Sequence, residues 1–236
     1  MKVNCIAVGA ILALAAASGC GGGSTSGNAQ SSPSADKKTS AVVATPSPTP
    51  TGPGAASVAI LKAALLTVQD FRTGWKSKPV TDSKSKSSGD CGDKLEAFDK
   101  AHPDSKIKAE ADFEKDSDEV DEELQGYSDV ADLKAQLAEY IQIIRGCRTL
   151  TLTNGGEKIN LQVSELSFPK LGDESFGYSA TGKSQGVTIV LNLAVILRGH
   201  VLVQFTQAGI ISADADDLAA TATKALAKLD TVVSVQ

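Results

Sequence analysis

The sequence lacks the marks of an ordinary catalyst. Gly-x-Ser-x-Gly, the elbow that exposes a serine nucleophile, does not occur. There are two histidines, His102 and His200, each in a stretch that reads as a turn, where a surface role outweighs a general base. There is no Cys-x-x-Cys, and neither histidine lies near a cysteine in sequence, so no zinc-type ligand set forms. Basic charge is not in excess: 23 Lys and Arg stand against 28 Asp and Glu, a net charge of −5. That balance argues against nucleic acid as a partner. No apolar run approaches the roughly 20 residues that cross a bilayer as a helix. Nothing in the sequence calls for a cofactor.

What is present begins at the N-terminus. Met1-Lys2 leads into an uncharged apolar run, Ile6 to Ala17, and then into the small residues Ala17-Ser18-Gly19 before Cys20. A basic start, an apolar segment of about 7–15 residues and a small-residue exit make a secretory signal peptide. Ala-Ser-Gly-Cys resembles the bacterial lipobox, with Ala17 where Leu is commonest. Residues 1–19 are therefore expected to be removed and Cys20 to carry a lipid. Gly21 to Ser57, GGGSTSGNAQSSPSADKKTSAVVATPSPTPTGPGAAS, has no aromatic residue and almost no large apolar one. Such a stretch cannot bury enough surface to offset chain entropy. Residues 20–57 are read as a disordered tether of about 30–35 Å coil dimension. Its Ser/Thr/Pro content also suits O-glycosylation. Residues 58–236 have globular composition and the length of one domain.

Of the four cysteines, Cys5 leaves with the signal and Cys20 takes the lipid. Cys91 and Cys147 remain, a single pair in an oxidising compartment, and a disulfide between them is the expectation.

Along the domain, Val58–Leu66 reads as a short helix and Thr67–Asp70 as a capped turn. Lys76 to Asp90 is polar and Ser/Lys-rich and reads as a loop. Cys91–Ala101 is helical, stopped by His102-Pro103. Lys106–Glu114 alternates strictly, with Ile107, Ala109, Ala111 and Phe113 on one side, so it is a strand with one buried and one wet face. Val120–Tyr127 is its partner strand. Asp129–Gly146 is the strongest helix, with Leu133, Leu137, Tyr140, Ile141 and Ile144 at helical spacing. Strands follow at Arg148–Thr153, Lys158–Phe168, Glu174–Thr181, Gly186–Leu197 and Val201–Ala208. Asn154-Gly155-Gly156 and Arg198-Gly199-His200 supply hairpin turns. Val187–Leu197 is nearly continuous apolar sequence, broken by Asn192, and reads as a buried central strand. Asp214–Leu229 is a closing helix. The fold class is α+β, helices packed on an antiparallel sheet.

Acidic residues crowd one stretch: Glu110, Asp112, Glu114, Asp116, Asp118, Glu119, Asp121, Glu122 and Glu123. Asp116, Asp118 and Glu119 are the weak candidates for a cation, but the loop lacks the glycine and the twelfth-position glutamate of an EF-hand. A solvated acidic face is the expectation, and no metal site is assigned.

Three short motifs carry a resemblance. Leu65-Leu66-Thr67-Val68-Gln69-Asp70-Phe71-Arg72-Thr73-Gly74-Trp75 is similar to the opening of many actinobacterial surface lipoproteins. Phe168-Pro169-Lys170-Leu171-Gly172-Asp173-Glu174-Ser175 looks like their Pro-x-x-Gly-Asp-Glu turn. Leu197-Arg198-Gly199-His200-Val201 resembles their Arg-x-Gly hairpin. The group includes the extracellular sensor domain of a mycobacterial serine/threonine kinase. The resemblance implies a PsbP/Mog1-like α/β sandwich with a ligand cleft, and it supplies no catalytic residue. That sensor domain carries two disulfides, and this chain has cysteines for one. Together these readings give a lipoprotein held on the extracytoplasmic face of the cell membrane. Its domain is expected to bind a small molecule or a cell-envelope component without catalysis. The alternative is a protein-interaction or scaffolding lipoprotein, and an enzyme is the least favoured.

Overall fold

A computed structural model describes residues 56–80, 86–154 and 156–234. Cys20, the signal segment and the tether up to residue 55 lie outside the described residues.

The apolar run between Val187 and Leu197 sets the architecture. With no polar face to offer water, it must be covered on both sides, and it lies at the centre of the sheet as β8 (Val187–Arg198). Its partner is β9 (Val201–Ile210), joined by the Arg198–His200 turn, with Gly199 at φ 57°. Outward from this pair run β7 (Glu174–Ser184), β6 (Glu157–Glu165) and β5 (Thr149–Asn154) on one side. On the other run β4 (Asp118–Gly126) and β3 (Lys108–Lys115). The edges are two three-residue strands, β1 (Lys76–Lys78) and β2 (Lys86–Ser88). The nine-stranded sheet has the order β1-β3-β4-β9-β8-β7-β6-β5-β2, and every pairing is antiparallel.

Four helices among the described residues cover this sheet: α1 (Val58–Ala64), α2 (Gly89–Ala101), α3 (Val130–Gly146) and α4 (Ala215–Ser234). Helices α2 and α3 lie on one face, where Leu95, Phe98, Leu133, Leu137 and Tyr140 pack on Leu191, Leu193, Val195 and Leu197. Helices α1 and α4 lie on the other, where Leu61, Leu218, Ala222, Ala225 and Leu229 pack on Ala194, Ile196, Val203 and Phe205. The α+β expectation holds, as a three-layer arrangement. Helix α3 begins where Asp129 caps it, accepting from the Ala131 and Asp132 amides at 2.9 and 3.0 Å. It ends against Cys147, which is bonded to Cys91 near the start of α2, with Cα atoms 5.4 Å apart.

The segment from Lys76 to Asp90 departs from the sequence reading. It supplies both edge strands and the first turn of α2 rather than a plain loop. Lys-Ser-Lys and Lys-Ser-Ser have no strand pattern of their own. They become strands because the open backbones of β3 and β5 are there to pair with. This also fixes the shape of the sheet. Eight inter-strand steps of about 4.8 Å would hold the two edges of a flat sheet roughly 38 Å apart. The chain from Lys78 to Lys86 reaches at most about 29 Å. The sheet is therefore coiled, edge toward edge.

Two of the motifs that carry the family resemblance clasp each other. The Asp173 carboxylate accepts from the Gly199 amide at 2.7 Å, and the Asp173 amide donates to the Leu197 carbonyl at 2.7 Å. Gly172 has φ 62° and no room for a Cβ against that same carbonyl, so glycine is required there. Arg198 makes a two-pronged pair with Asp230 of α4 at 2.8 and 3.0 Å. These residues tie the β8–β9 turn to its neighbours and serve the fold.

Removing the bridge with Cys91→Ser is expected to lower unfolding free energy by about 4 kcal/mol in the chain-entropy model for a 56-residue separation. Denaturant titration of the oxidised protein against the variant, and against the reduced protein, measures it.

Candidate functional site

A cavity of about 350 Å³ opens between the start of α4, the Phe71–Trp75 segment and the ends of β4 and β9. Each wall has a local cause. Asp214 caps α4 by accepting from the Asp216 amide at 2.9 Å. Just before it, Gly209 has no room for a Cβ, which would collide with the Ser212 carbonyl. Glycine thus lets residues 211–213 fold back over the sheet. Ile211 takes φ 76° in that turn, a strained conformation for a β-branched residue, and its side chain is 77 % exposed. The opposite wall is aromatic. Gly74, at φ 102°, turns Trp75 toward Phe71, with ring centroids 5.1 Å apart, and Phe71 packs on Phe113 at 4.4 Å. The floor is Gln207, whose Oε1 accepts from Asn192 Nδ2 at 3.2 Å. That same Nδ2 donates to the Ala213 carbonyl at 3.2 Å, while Asn192 Oδ1 is buried without a hydrogen-bond partner among the described residues.

A second cavity, about 210 Å³, lies beside the disulfide between the end of α3 and strands β6 and β7. Ile141, Val163 and Phe176 line it, with Arg145 and Arg148 at its mouth.

The acidic run is not the solvated face that its sequence suggests. Asp112, Glu119, Glu122 and Glu123 are buried. The reason is the position of β4, an interior strand between β3 and β9, which alternation alone does not reveal. Period two puts Glu122 on the α1/α4 face, on the same side as Val120 and Leu124. There its Oε2 accepts from the Leu66 amide at 2.7 Å, and its Oε1 has no hydrogen-bond partner among the described residues. Burial pushes the Glu122 carboxyl up to about 7, against the opposing pull of the Leu66 amide and Lys228. The other acids share the opposite face with Lys78, whose Nζ lies 2.9 Å from Glu119 and 3.9 Å from Asp121. Burial, reinforced by Asp112, pushes Asp121 up to about 7. Burial and the neighbouring Glu110 do the same for Glu123. Burial on its own would lower Lys78, but hydrogen bonding to Glu119 and the field of Asp121 outweigh it and raise its pKa.

The weak cation candidates do not converge. Asp116 sits in the β3–β4 turn at φ 54°. Asp118 lines the cavity beside Val120, while Glu119 turns to the other face and pairs with Lys78. Both histidines are structural: His102 Nε2 lies 3.1 Å from Glu139, and His200 Nδ1 lies 3.1 Å from the Tyr127 carbonyl. Cys91 and Cys147 are joined, as their number implied. Sequence reasoning missed Gln207 and the part played by Trp75. Asn192, a polar break in an apolar run, was the one signal that pointed here.

The molecule is an α+β domain, an antiparallel sheet between two helical layers. In particular, it shares that fold with the extracellular domain of PknH from Mycobacterium tuberculosis, at a TM-score of 0.59 and 12% identity, covering 75% of this chain and 97% of that one. An Rv0999 ortholog from Mycobacterium smegmatis matches at a TM-score of 0.40 and 16% identity, covering 75% of this chain and 98% of that one. No family model and no curated protein matches the sequence.

The buried carboxylate of Glu122 makes stability depend on pH. Its folded-state pKa is raised from 4.5 to about 7. Ionisation therefore costs the folded state nothing below about pH 4.5, progressively more between there and 7, and the full amount above. The melting temperature is expected to rise as pH falls from 8 toward 5. Glu122→Gln should be more stable than the parent at pH 8, by on the order of 1–3 kcal/mol, and should show a shallower pH slope. Thermal melts across that range measure both.

Proposed function

We propose that this chain is a lipid-anchored binding protein on the extracytoplasmic face of the cell membrane. In this reading residues 1–19 direct export and Cys20 carries the lipid. Residues 20–57 then hold the domain clear of the bilayer, and the domain takes up a small molecule or envelope component without turning it over. The observation that carries the reading is the 350 Å³ cavity, with an aromatic wall and polar groups converging from four segments of chain. Small-molecule sites typically have that mix and begin at about that size. The cavity lining contains no histidine and no cysteine. The disulfide suits an oxidising compartment, and no helix among the described residues is long and apolar enough to cross a membrane. An adaptor role has less behind it. Among the described residues the large apolar side chains left exposed are Ile211 and five valines, little apolar area for a protein interface to use.

Cell fractionation tests the anchor. The parent should be found with membranes, and Cys20→Ala should be released into the soluble extracytoplasmic fraction. A parent that is already soluble would refute it. Native mass spectrometry tests the binding. The full mature chain, extracted in mild detergent, should carry a small-molecule adduct that is lost when Ala220→Phe fills the cavity. An adduct that survives this substitution, or none in the parent, counts against a ligand site here.

A further inference from the structure

The geometry points to a neutral saccharide as the ligand of the cavity between α4, Trp75 and Gln207, an assignment that rests on the binding function proposed above. Three features of the cavity lead there.

The first is charge. Many charged groups line the cavity, but the protein itself answers them. Arg72 pairs with Asp217 at 3.0 Å, and the Asp70 carboxylate takes Lys228 at 3.1 Å. Asp118 feels Lys115, against burial and Asp116, which together raise its pKa, and Asp214 is engaged by the helix amides. Lys224, the other cation of the lining, donates to the Asp70 carbonyl at 2.7 Å, so each charged side chain of the lining already meets a group of the protein. An uncharged polar ligand fits the field that remains.

The second is the pairing of surfaces. One wall is the Phe71–Trp75 aromatic pair, and the facing wall and floor carry carboxylates and an amide. A pyranose has the complementary form. The C–H face of its ring lies against an aromatic plane, and its hydroxyls, each both donor and acceptor, meet planar carboxylate and amide groups at the rim. The volume, about 350 Å³, suits a small ligand.

The third is the buried amide pair. Asn192 and Gln207 face each other across β8 and β9, on a sheet face otherwise filled by Ala194, Ile196, Val203 and Phe205. Two apolar residues would pack there at lower cost. Asn192 is 2 % exposed, and its Oδ1 is unsatisfied among the described residues. By donating to Gln207 Oε1, Asn192 fixes the rotation of that amide, one of the polar groups that line the cavity. A polar ligand repays this arrangement; an apolar one does not.

Trp75 is the single tryptophan of the chain, so its fluorescence reports on this cavity without interference. The experiment titrates the full mature chain in mild detergent with methyl glycosides of glucose, galactose and mannose, with N-acetylglucosamine, and with maltose and chitobiose. Spermidine and inorganic phosphate serve as the charged arms. The expected result is a saturable change with at least one neutral sugar, insensitive to salt between 50 and 500 mM. Ala220→Phe and Asp118→Ala should weaken it at least tenfold while leaving the melting temperature within a few degrees of the parent. Asp118 and Ala220 are exposed, so these variants fold even if Trp75→Ala does not. The proposal is overturned if no sugar moves the signal at tens of millimolar, or if spermidine or phosphate saturates it and the sugars do not. It is also overturned if the sugar response survives Ala220→Phe. An adduct in mass spectrometry that is sensitive to Ala220→Phe but is not a sugar would sink this assignment and leave the binding function standing. No adduct and no response together would sink both.

Discussion

The ladder between β8 and β9, running from Ile189↔Ile210 to Arg198↔Val201, carries buried side chains on both faces at once. Backbone amides and carbonyls in such a pair have no water to turn to, so strands must lie on either side to complete their hydrogen bonds. Strands β7 and β4 do so, and the two helical layers close the faces. The burial of acids in β4 follows from the same demand. A strand recruited as the neighbour of β9 is drawn inside with most of its side chains, Glu119, Glu122 and Glu123 included.

Much of this was legible from spacing. The 3.6-residue period of α3, the alternation of β3 and the unbroken apolar run of β8 each identify an element through its own burial, and burial leaves a pattern in the residues. The fate of the two surplus cysteines was a matter of number alone. What stayed hidden depends on neighbours rather than on local pattern. Lys76–Lys78 and Lys86–Ser88 are strands only by virtue of β3 and β5. The acidic run alternates as a half-wet strand would, and no periodicity says that β4 has a partner on each side. The cavity was the least visible of all. Trp75, Asn192 and Gln207 lie far apart in sequence, and Asn192 stood out only as a flaw in an apolar strand.

The clasp between Asp173, Gly199 and Arg198 gives the short resemblance motifs a physical meaning. They fasten the tip of the central hairpin to the strand beside it and, through Asp230, to α4. Residues with such a duty are constrained by geometry and not by what the domain holds.

The coiling of the sheet has one more consequence. Both of its edges are finished by strands from a single stretch of chain, Lys76–Lys78 at one end and Lys86–Ser88 at the other. Open edges invite neighbouring molecules to add strands, and lysine-rich, three-residue edges discourage it. The arrangement is that of a belt whose two ends are stitched to opposite margins of the same cloth. Molecules packed side by side on a surface would meet one another with charge rather than with bare backbone. The weakness is shared as well: a single cut at the exposed Pro79–Val80 would loosen both margins together.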